Sequence, residues 1–304
     1  MFTLGFALSL SAVACSIACA VAYSSSDYFR KAIPSSASPM LALFYGFGLE
    51  APVLAVWVAV SGDARIAPEY VLPGLADAAI GLGANILFLV AVRRSPLSLM
   101  IPILALVPAL TAVLGGVMLG EWPTLSQAAG ILFVVAGLFT LYIPAQRENG
   151  RGGFHTLAVW RSFAREPGSL PMAGVVVLWS LSPPVDKICL EYASVGMHGL
   201  AQLTILWGAC GIWLLATQGP KALVLPRAAV KPLLGVAVTA GVAYGLQLAA
   251  YQMTLVALVE LFKRTIGLVG ALILGQAYFQ EPVTGPKLAG IAIMVLGLPL
   301  IFLG

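Results

Sequence analysis

The chain has 304 residues, of which 60% are hydrophobic and only 9% are charged, and its formal net charge is +4. A water-soluble domain of this length needs more charge to cover its surface, so the composition indicates a membrane protein. No basic run is dense enough to predict a nucleic-acid partner. The four cysteines lie in apolar segments without a CxxC pair, which predicts packing residues rather than disulfides or a metal site.

The hydrophobic runs predict ten membrane-spanning helices. A hydrocarbon core of about 30 Å requires roughly 20 apolar residues for each crossing. No basic segment precedes the first run, so we expect a retained helix rather than a cleaved signal peptide. The predicted helices cover residues 5–29, 38–60, 72–92, 96–119, 124–144, 171–193, 198–217, 232–253, 256–279 and 284–303.

The two halves of the chain align with each other. A shift of 156 residues pairs Lys31 with Lys187. Five helices in each half is an odd number, so the second half enters the membrane from the opposite side, which gives an inverted repeat. The predicted fold is all-α, with a first repeat in residues 1–144, a connecting loop in 145–170 and a second repeat in 171–304 around a central cavity. A shift of 160 residues adds these matches: Gly115 with Gly275, Glu121 with Glu281, Thr124 with Thr284, Gly130 with Gly290 and Gly137 with Gly297.

A proline-bearing helix, a Gly–Glu turn and a glycine-spaced final helix follow one another in PLSLMIPILALVPALTAVLGGVMLGEWPTLSQAAGILFVVAGLFTLYI, residues 96–143. This block resembles the EamA-type domain. A similar block opens with VELFKRTIGLVG in the second half, although Gln280 replaces the glycine of the Gly–Glu pair. The resemblance implies the drug/metabolite transporter superfamily, whose ten helices enclose a cavity that opens alternately to each side.

Lys and Arg residues divide unequally between the two ends of the predicted helices. Twelve of the sixteen lie in connections that follow odd-numbered helices, and four lie on the other side. The positive-inside rule places the richer side in the cytoplasm and both termini outside. The family resemblance implies the reverse, with cytoplasmic termini, so the sequence leaves the orientation open.

Three ionisable residues lie in the otherwise apolar ninth helix: Glu260, Lys263 and Arg264. An ionised base within a spanning helix costs about 2.5–3.5 kcal/mol on insertion scales, so it usually faces a cavity or a partner. The shift of 160 residues places apolar residues at the equivalent positions, so the shared scaffold does not require these charges. We expect this net positive cluster to bind a carboxylate or phosphate of the substrate. The alternative is that its bases reach the membrane interface or fix the helix to a neighbour.

Other charged residues are candidates for gating or ion coupling. Lys31 and Lys187 lie near the ends of the first and sixth helices, as gate charges or as interfacial anchors with local partners. Glu50 and Asp77 lie in apolar runs, where a carboxylate suits proton coupling or pairs with a base from another helix. Glu121 precedes the fifth helix, where an acid complements the helix dipole.

Polar and aromatic residues of other helices are candidates to complete the substrate site. We place Tyr23, Asn85, Trp179, Tyr244 and Gln247 in it. His155 and His198 lie at predicted connections, so no metal-ligand cluster is expected. No catalytic or phosphate-binding motif occurs in the sequence. Further candidates of the same kind are Gln202, Trp207, Tyr251 and Gln252.

These observations predict a secondary transporter, and not an enzyme, that works by alternating access without a cofactor or metal. We expect it to export a small metabolite such as an amino acid or organic anion. The alternative is a uniporter or flippase of a lipid-linked anion on the same scaffold. The expected partners are the small-molecule substrate and the lipid bilayer, with no nucleic acid and with a homodimer left open. The expected location is the cell (inner) membrane, as a multi-pass protein.

Overall fold

The computed structural model describes residues 9–95, 101–142, 166–279 and 285–302. Within these ranges the chain is all-helical and forms no strand. Short 3-10 helices precede α3 and α4 and follow α7. The ten α-helices are α1 (Leu10–Lys31), α2 (Pro39–Ser61), α3 (Val71–Arg94), α4 (Val107–Leu119), α5 (Leu125–Tyr142), α6 (Ser169–Tyr192), α7 (Val195–Gln218), α8 (Arg227–Met253), α9 (Val256–Phe279) and α10 (Gly285–Phe302).

Six of these helices are clear candidates to cross a membrane. They are α1, α2, α3, α6, α7 and α8, each with an apolar window and at least 22 residues. The apolar stretches described for α4, α5 and α10 are shorter. The observed helices are compatible with the predicted ten-span arrangement, and each predicted span has a helical counterpart in the part of the chain that is described.

The fourth helix differs from its prediction as one continuous span over residues 96–119. Residues 101–106 form a 3-10 helix, and α4 begins only at Val107. Pro108 has no N–H to donate to the carbonyl of Leu104, and its ring crowds that carbonyl, so an α-helix cannot pass through this point undisturbed. Pro108 is instead accommodated in the first turn of α4, where the missing N–H costs nothing.

Most helices pack against helices of the other half of the chain. The most extensive pairs are α5 with α10, α1 with α8, α2 with α7 and α3 with α6. In the predicted repeat, α1 to α5 correspond to α6 to α10. Exchange of corresponding helices turns the α1–α8 pair into the α6–α3 pair and leaves the α5–α10 and α2–α7 pairs unchanged. This pattern is compatible with two five-helix repeats. The predicted repeat boundaries remain a prediction, and most of the loop 145–170 lies outside the described residues.

Helices α5 and α10 approach each other backbone to backbone at two points. A Cβ atom on Gly137 would lie 2.6 Å from the carbonyl oxygen of Gly290, and one on Gly297 would lie 2.7 Å from that of Gly130. The shift of 160 residues pairs Gly130 with Gly290 and Gly137 with Gly297. The two contacts are therefore reciprocal, as expected for helices related by a local two-fold axis.

Connections that follow even-numbered helices meet at one end of the bundle, which we call the even end. The Ala67 N–H donates to the Tyr192 carbonyl at 2.8 Å and joins the α2–α3 connection to the end of α6. The Val256 N–H donates to Glu121 at 3.2 Å and joins the α8–α9 connection to the α4–α5 turn. These contacts agree with the predicted grouping of the connections, while the orientation of the even end relative to the cytoplasm remains a prediction.

Candidate functional site

A cavity of about 410 Å³ lies between helices of the two halves. Its lining residues come from α1, α2, α3, α6, α7, α8 and α9. Asp27 and Arg30, near the end of α1, line its mouth and form a salt bridge of 3.4 Å with side chains that are at least half exposed. Gln202 and Tyr251 line the deeper part and are buried. The cavity is therefore open at the end opposite to the even end.

The predicted substrate-site residues come together in this cavity. Glu50 and Asp77, predicted for coupling, line it as well. Among the described residues, the lining includes neither Lys31 nor Lys187. Contact of any of these residues with a substrate remains a prediction. The predicted substrate-site residues in the lining are Lys263, Arg264, Glu260, Trp179, Tyr244, Gln247, Asn85 and Tyr23.

Lys263 is held by groups from three helices. Its Nζ donates to Oε1 of Glu260 at 2.5 Å and to Oε1 of Gln247 at 2.6 Å, and it lies 5.1 Å from the ring centre of Tyr23. The Tyr251 hydroxyl donates to the same Glu260 oxygen at 2.7 Å. Lys263 is therefore a paired cation that fixes α9 to α8 and α1, as in the alternative left open by the sequence, and it also faces the cavity.

Arg264 is placed differently from Lys263. Its guanidinium lies 6.0 Å from the ring centre of Trp179, and its buried Nε has no hydrogen-bond partner. Within the described residues no salt bridge involves Arg264. A buried donor without an acceptor costs about 1–3 kcal/mol of free energy, which a bound carboxylate or phosphate would recover. Arg264 is therefore the strongest candidate in the cavity for recognition of an anionic group.

A second polar group, the acid–histidine cluster, consists of Asp77 of α3, Asp186 of α6 and His198 of α7. The Nε2 atom of His198 lies 2.9 Å from Oδ1 of Asp186 and 3.9 Å from Oδ2 of Asp77. Its Nδ1 lies 2.8 Å from the hydroxyl oxygen of Tyr70, and Ser182 donates to Oδ1 of Asp77 at 3.3 Å. All three members of the cluster are buried, and both carboxylates line the cavity.

The expectation that His198 lies at a connection and joins no ligand cluster is wrong. Helix α7 begins at Val195, after the capping Ser194, so His198 lies in its first turn and faces the interior. One ligand atom from each member of the acid–histidine cluster lies within 4.8 Å of the others, a spacing that a metal ion could bridge. No local sequence pattern predicts this cluster, because the three residues come from three separate helices.

Lys187 pairs with an acidic residue that is distant in the sequence. It forms a salt bridge with Glu121 in the α4–α5 turn, and its Nζ donates to the Thr254 carbonyl at 2.9 Å. Glu121 also accepts the N–H of Val256, the first residue of α9. We call these contacts the even-end staple, since they join α6, the α4–α5 turn and the α8–α9 connection. Lys31, the repeat mate of Lys187, lies exposed at the end of α1.

The prediction that Glu121 complements the dipole of the fifth helix stays a prediction, and the structure shows other partners for this residue. Thr124 and Gln127 cap α5 reciprocally, with each backbone N–H donating to the side-chain oxygen of the other residue at 3.0 and 3.2 Å. Glu121 therefore supports the N-terminus of α9, which is close in space although distant in sequence.

Several of the remaining candidates have packing or backbone partners. Asn85 donates to the Gly81 carbonyl at 2.8 Å, and the Trp179 ring packs against Phe88 at 5.4 Å between centres. Within the described residues Glu50 is buried and forms no salt bridge. Two weaker candidates lie outside the lining: Trp207 stacks on Phe44, and Gln252 is exposed.

The described cavity lining is more acidic than the sequence led us to expect. Lys263 and Arg264 make one wall positive, but they do not set the charge of the whole cavity. The acid–histidine cluster lies on α3, α6 and α7, so the cavity offers cationic and anionic groups to one occupant. The lining contains five carboxyl residues, Asp27, Glu50, Asp77, Asp186 and Glu260, and three cationic residues, Arg30, Lys263 and Arg264.

Comparison with known proteins agrees with this architecture. A solved structure described as "Crystal structure of protein" superposes with a TM-score of 0.77 at 18% identity, covering 96% of this chain and 98% of that chain, which shows a shared fold. No curated protein sequence matches the chain. The model of the EamA-like transporter family matches residues 10–143. With its apolar helices, this match makes the chain a multi-pass membrane protein. Residues 10–143 of the chain are therefore similar to the EamA-like transporter family, which belongs to the drug/metabolite transporter superfamily.

Proposed function

We propose that the protein is a secondary transporter that exports a small metabolite, such as an amino acid or organic anion, by alternating access. Its family indicates a membrane transporter rather than an enzyme. The observation that carries the substrate class is the unpartnered Nε of Arg264 in a cavity that also contains a carboxylate wall.

The two walls of the cavity suit the two ends of a zwitterion. The planar guanidinium of Arg264 matches the geometry of a carboxylate. An ammonium group at the other end of the same molecule would lie near Asp77 and Asp186, and an apolar side chain would contact Trp179 and Tyr244. A volume of about 410 Å³ lies at the lower end of the range for small-molecule pockets, which limits the substrate to small metabolites.

Alternating access requires the even-end staple to open in the other state. Lys187 and Glu121 close the bundle at the end where the cavity is sealed. In the proposed cycle the staple breaks as the mouth near Asp27 and Arg30 closes, and Lys31, the repeat mate of Lys187, contributes to that closure. The cavity-facing helices of the two predicted repeats, residues 1–144 and 171–304, move relative to each other, while α5 and α10 stay in contact. Glu50 is a proposed coupling residue, and the proposed location is the cell (inner) membrane.

Ligand-induced thermal stabilisation of the purified protein tests the substrate class. We expect zwitterionic amino acids or small carboxylates from a metabolite panel to raise the Tm, and this rise to disappear in Arg264→Ala. The matched control is Arg227→Ala, which removes an exposed arginine at the start of α8. Equal stabilisation of both variants, or stabilisation only by compounds without an anionic group, would refute anion recognition by Arg264.

Counterflow in proteoliposomes tests transport itself. A radiolabelled compound that stabilises the protein should exchange with the same unlabelled compound inside the vesicles without a pH gradient. Protein-free vesicles provide the background rate. Absence of exchange for every stabilising compound would refute the proposed transport function.

A further inference from the structure

We propose that Asp77 and Asp186 share one exchangeable proton, and that a substrate ammonium group displaces this proton when it binds. The acid–histidine cluster then couples proton uptake to substrate release in the opposite direction. This inference rests on the proposed transport function and adds its driving ion and the site that binds it.

The hydrogen bonds around His198 determine which of its nitrogens carries a hydrogen. Nε2 of Gln202 donates to the Gly74 carbonyl at 2.8 Å, and because a carbonyl only accepts, this contact fixes the orientation of the amide. The second hydrogen of that nitrogen points to the Tyr70 oxygen at 3.1 Å. The Tyr70 hydroxyl then donates its own hydrogen to Nδ1 of His198 at 2.8 Å. The neutral ring therefore carries its hydrogen on Nε2 and donates it to Asp186 at 2.9 Å.

This tautomer favours a proton over a metal ion in the cluster. A metal ion would need the lone pair of Nε2, but that nitrogen carries the hydrogen donated to Asp186. The other nitrogen of His198 is occupied by the hydroxyl of Tyr70. Both ring nitrogens are thus committed, so an added proton binds to a carboxylate oxygen of Asp77 or Asp186.

Charge repulsion between Asp77 and Asp186 favours the binding of one proton to the pair. Their ligand atoms lie within 4.8 Å of each other, and the two residues are 4% and 2% exposed. Two ionised carboxylates at this distance repel strongly where water is scarce, and a single proton between them removes the repulsion. Nearby Lys263 supplies little compensation, because Glu260 already pairs with it at 2.5 Å.

Among the described groups that act on the pair, Lys263 is the cation, and it already pairs with Glu260. His198 of α7 is neutral in the tautomer derived above. The groups that interact with the pair are Tyr70 from the 3-10 helix, Cys189 from α6, His198 from α7, Tyr244 and Tyr251 from α8, and Glu260 and Lys263 from α9.

Both carboxylates line the cavity, so the proton and the substrate compete for the same groups. When a substrate ammonium group binds, the shared proton leaves to cavity water, and the ammonium charge replaces it between the two carboxylates. When the substrate leaves on the other side of the membrane, one proton returns to the pair. The exchange therefore moves one proton against each substrate molecule and conserves charge in the site.

Infrared difference spectroscopy of the purified full-length protein tests the proton site directly. A pH step should produce the carbonyl stretch of a protonated carboxylic acid, and this band should be lost or shifted in both Asp77→Asn and Asp186→Asn. The matched control Asp63→Asn removes an exposed carboxylate and should retain the band. An unchanged band in both cavity variants would overturn the proposal.

A third variant tests the hydrogen-bond argument without removing a carboxylate. Tyr70→Phe deletes the hydroxyl that occupies Nδ1 of His198, so the imidazole becomes able to accept a proton. We expect the carboxylic acid band to weaken and an imidazolium signal to appear over the same pH range. If the spectrum matches that of the parent protein, the assigned tautomer is wrong.

Proteoliposomes with an internal pH-sensitive dye test the coupling, with each of the twenty common amino acids supplied separately as the probe. A probe that exchanges by counterflow should also move protons, and a gradient of one pH unit should drive up to about tenfold accumulation. Asp77→Asn and Asp186→Asn should each weaken counterflow and lose gradient-driven accumulation, whereas the exposed-site control Asp63→Asn should keep both. Counterflow without proton movement in the parent protein would refute this inference and leave the transport proposal intact.

Two further results distinguish failure of transport from the presence of a metal site. If no probe exchanges in the parent protein, amino-acid transport is refuted, and the infrared result alone decides whether the carboxyl pair holds a proton. Calorimetric titration with ZnCl₂ provides the test for a metal. Stoichiometric zinc binding that is lost in His198→Gln would overturn the proton assignment in favour of a metal site.

Discussion

Replacing Lys263 by methionine removes the ammonium group that pairs with Glu260 and keeps an unbranched side chain of similar length. The Glu260 carboxylate, which is 3% exposed, then retains only the Tyr251 hydroxyl as a described hydrogen-bond donor. Breaking a buried ion pair by removing one partner typically costs 3–5 kcal/mol. The Lys263 side chain is 20% exposed, so we expect a loss of stability at the lower end of this range, about 3 kcal/mol.

Thermal unfolding in detergent measures this cost. One kcal/mol shifts the Tm of a chain of 150–250 residues by about 2–4 °C, so we expect Lys263→Met to lower the Tm by about 6–12 °C. The control Lys231→Met changes an exposed lysine of α8 and should shift the Tm by less than about 2 °C.

A double-mutant cycle tests whether the loss comes from the unpaired carboxylate. Glu260→Gln combined with Lys263→Met leaves a neutral amide beside Tyr251, so the double variant should recover much of the lost stability. If the two single effects simply add, or if Lys263→Met behaves like Lys231→Met, the Lys263–Glu260 pair does not stabilise the contact between α8 and α9.

Three further predictions concern packing, gating and orientation. Gly137→Ala should destabilise the α5–α10 contact by about 1–3 kcal/mol in the same thermal assay, whereas Gly208→Ala, where a Cβ meets open space, should not. Glu121→Gln should weaken the even-end staple, so an impermeant maleimide added at the even end should label Ser182→Cys faster. A loss of 1–2 kcal/mol from the staple would raise the labelling rate by about 5–30-fold. An unchanged rate would contradict a gating role. A reporter enzyme fused to the C-terminus should be active outside the cytoplasm if the charge distribution decides the topology, and a cytoplasmic signal would favour the family resemblance.

The sequence predicted the helical order and many residues that line the cavity, because long apolar runs and isolated ionisable residues are local signals. Pro102 and Pro108 indicate a disturbed helix, but whether the chain bends or changes to a 3-10 helix depends on packing against neighbouring helices. The break between the 3-10 helix and Val107 therefore required the structure.

The charged pairs were harder to predict, because they depend on the directions in which neighbouring side chains point. Successive residues on a helix point about 100° apart, so Asp186 faces the cavity while Lys187 faces Glu121 and the even end. Sequence proximity suggested a local pair that the helix geometry does not allow. His198 reaches the two carboxylates only through the packing of α3, α6 and α7, for which no residue spacing gives a signal.

The reciprocal glycine contacts constrain the movements that are available to the molecule. Side chains that interdigitate can slide or change rotamer, but two backbones in direct contact have no intervening atoms to rearrange. We therefore expect helices α5 and α10 to move together as one rigid body. Any change in access must then come from the helices that face the cavity, and distance measurements along the α5–α10 seam should give the same values whichever mouth is open.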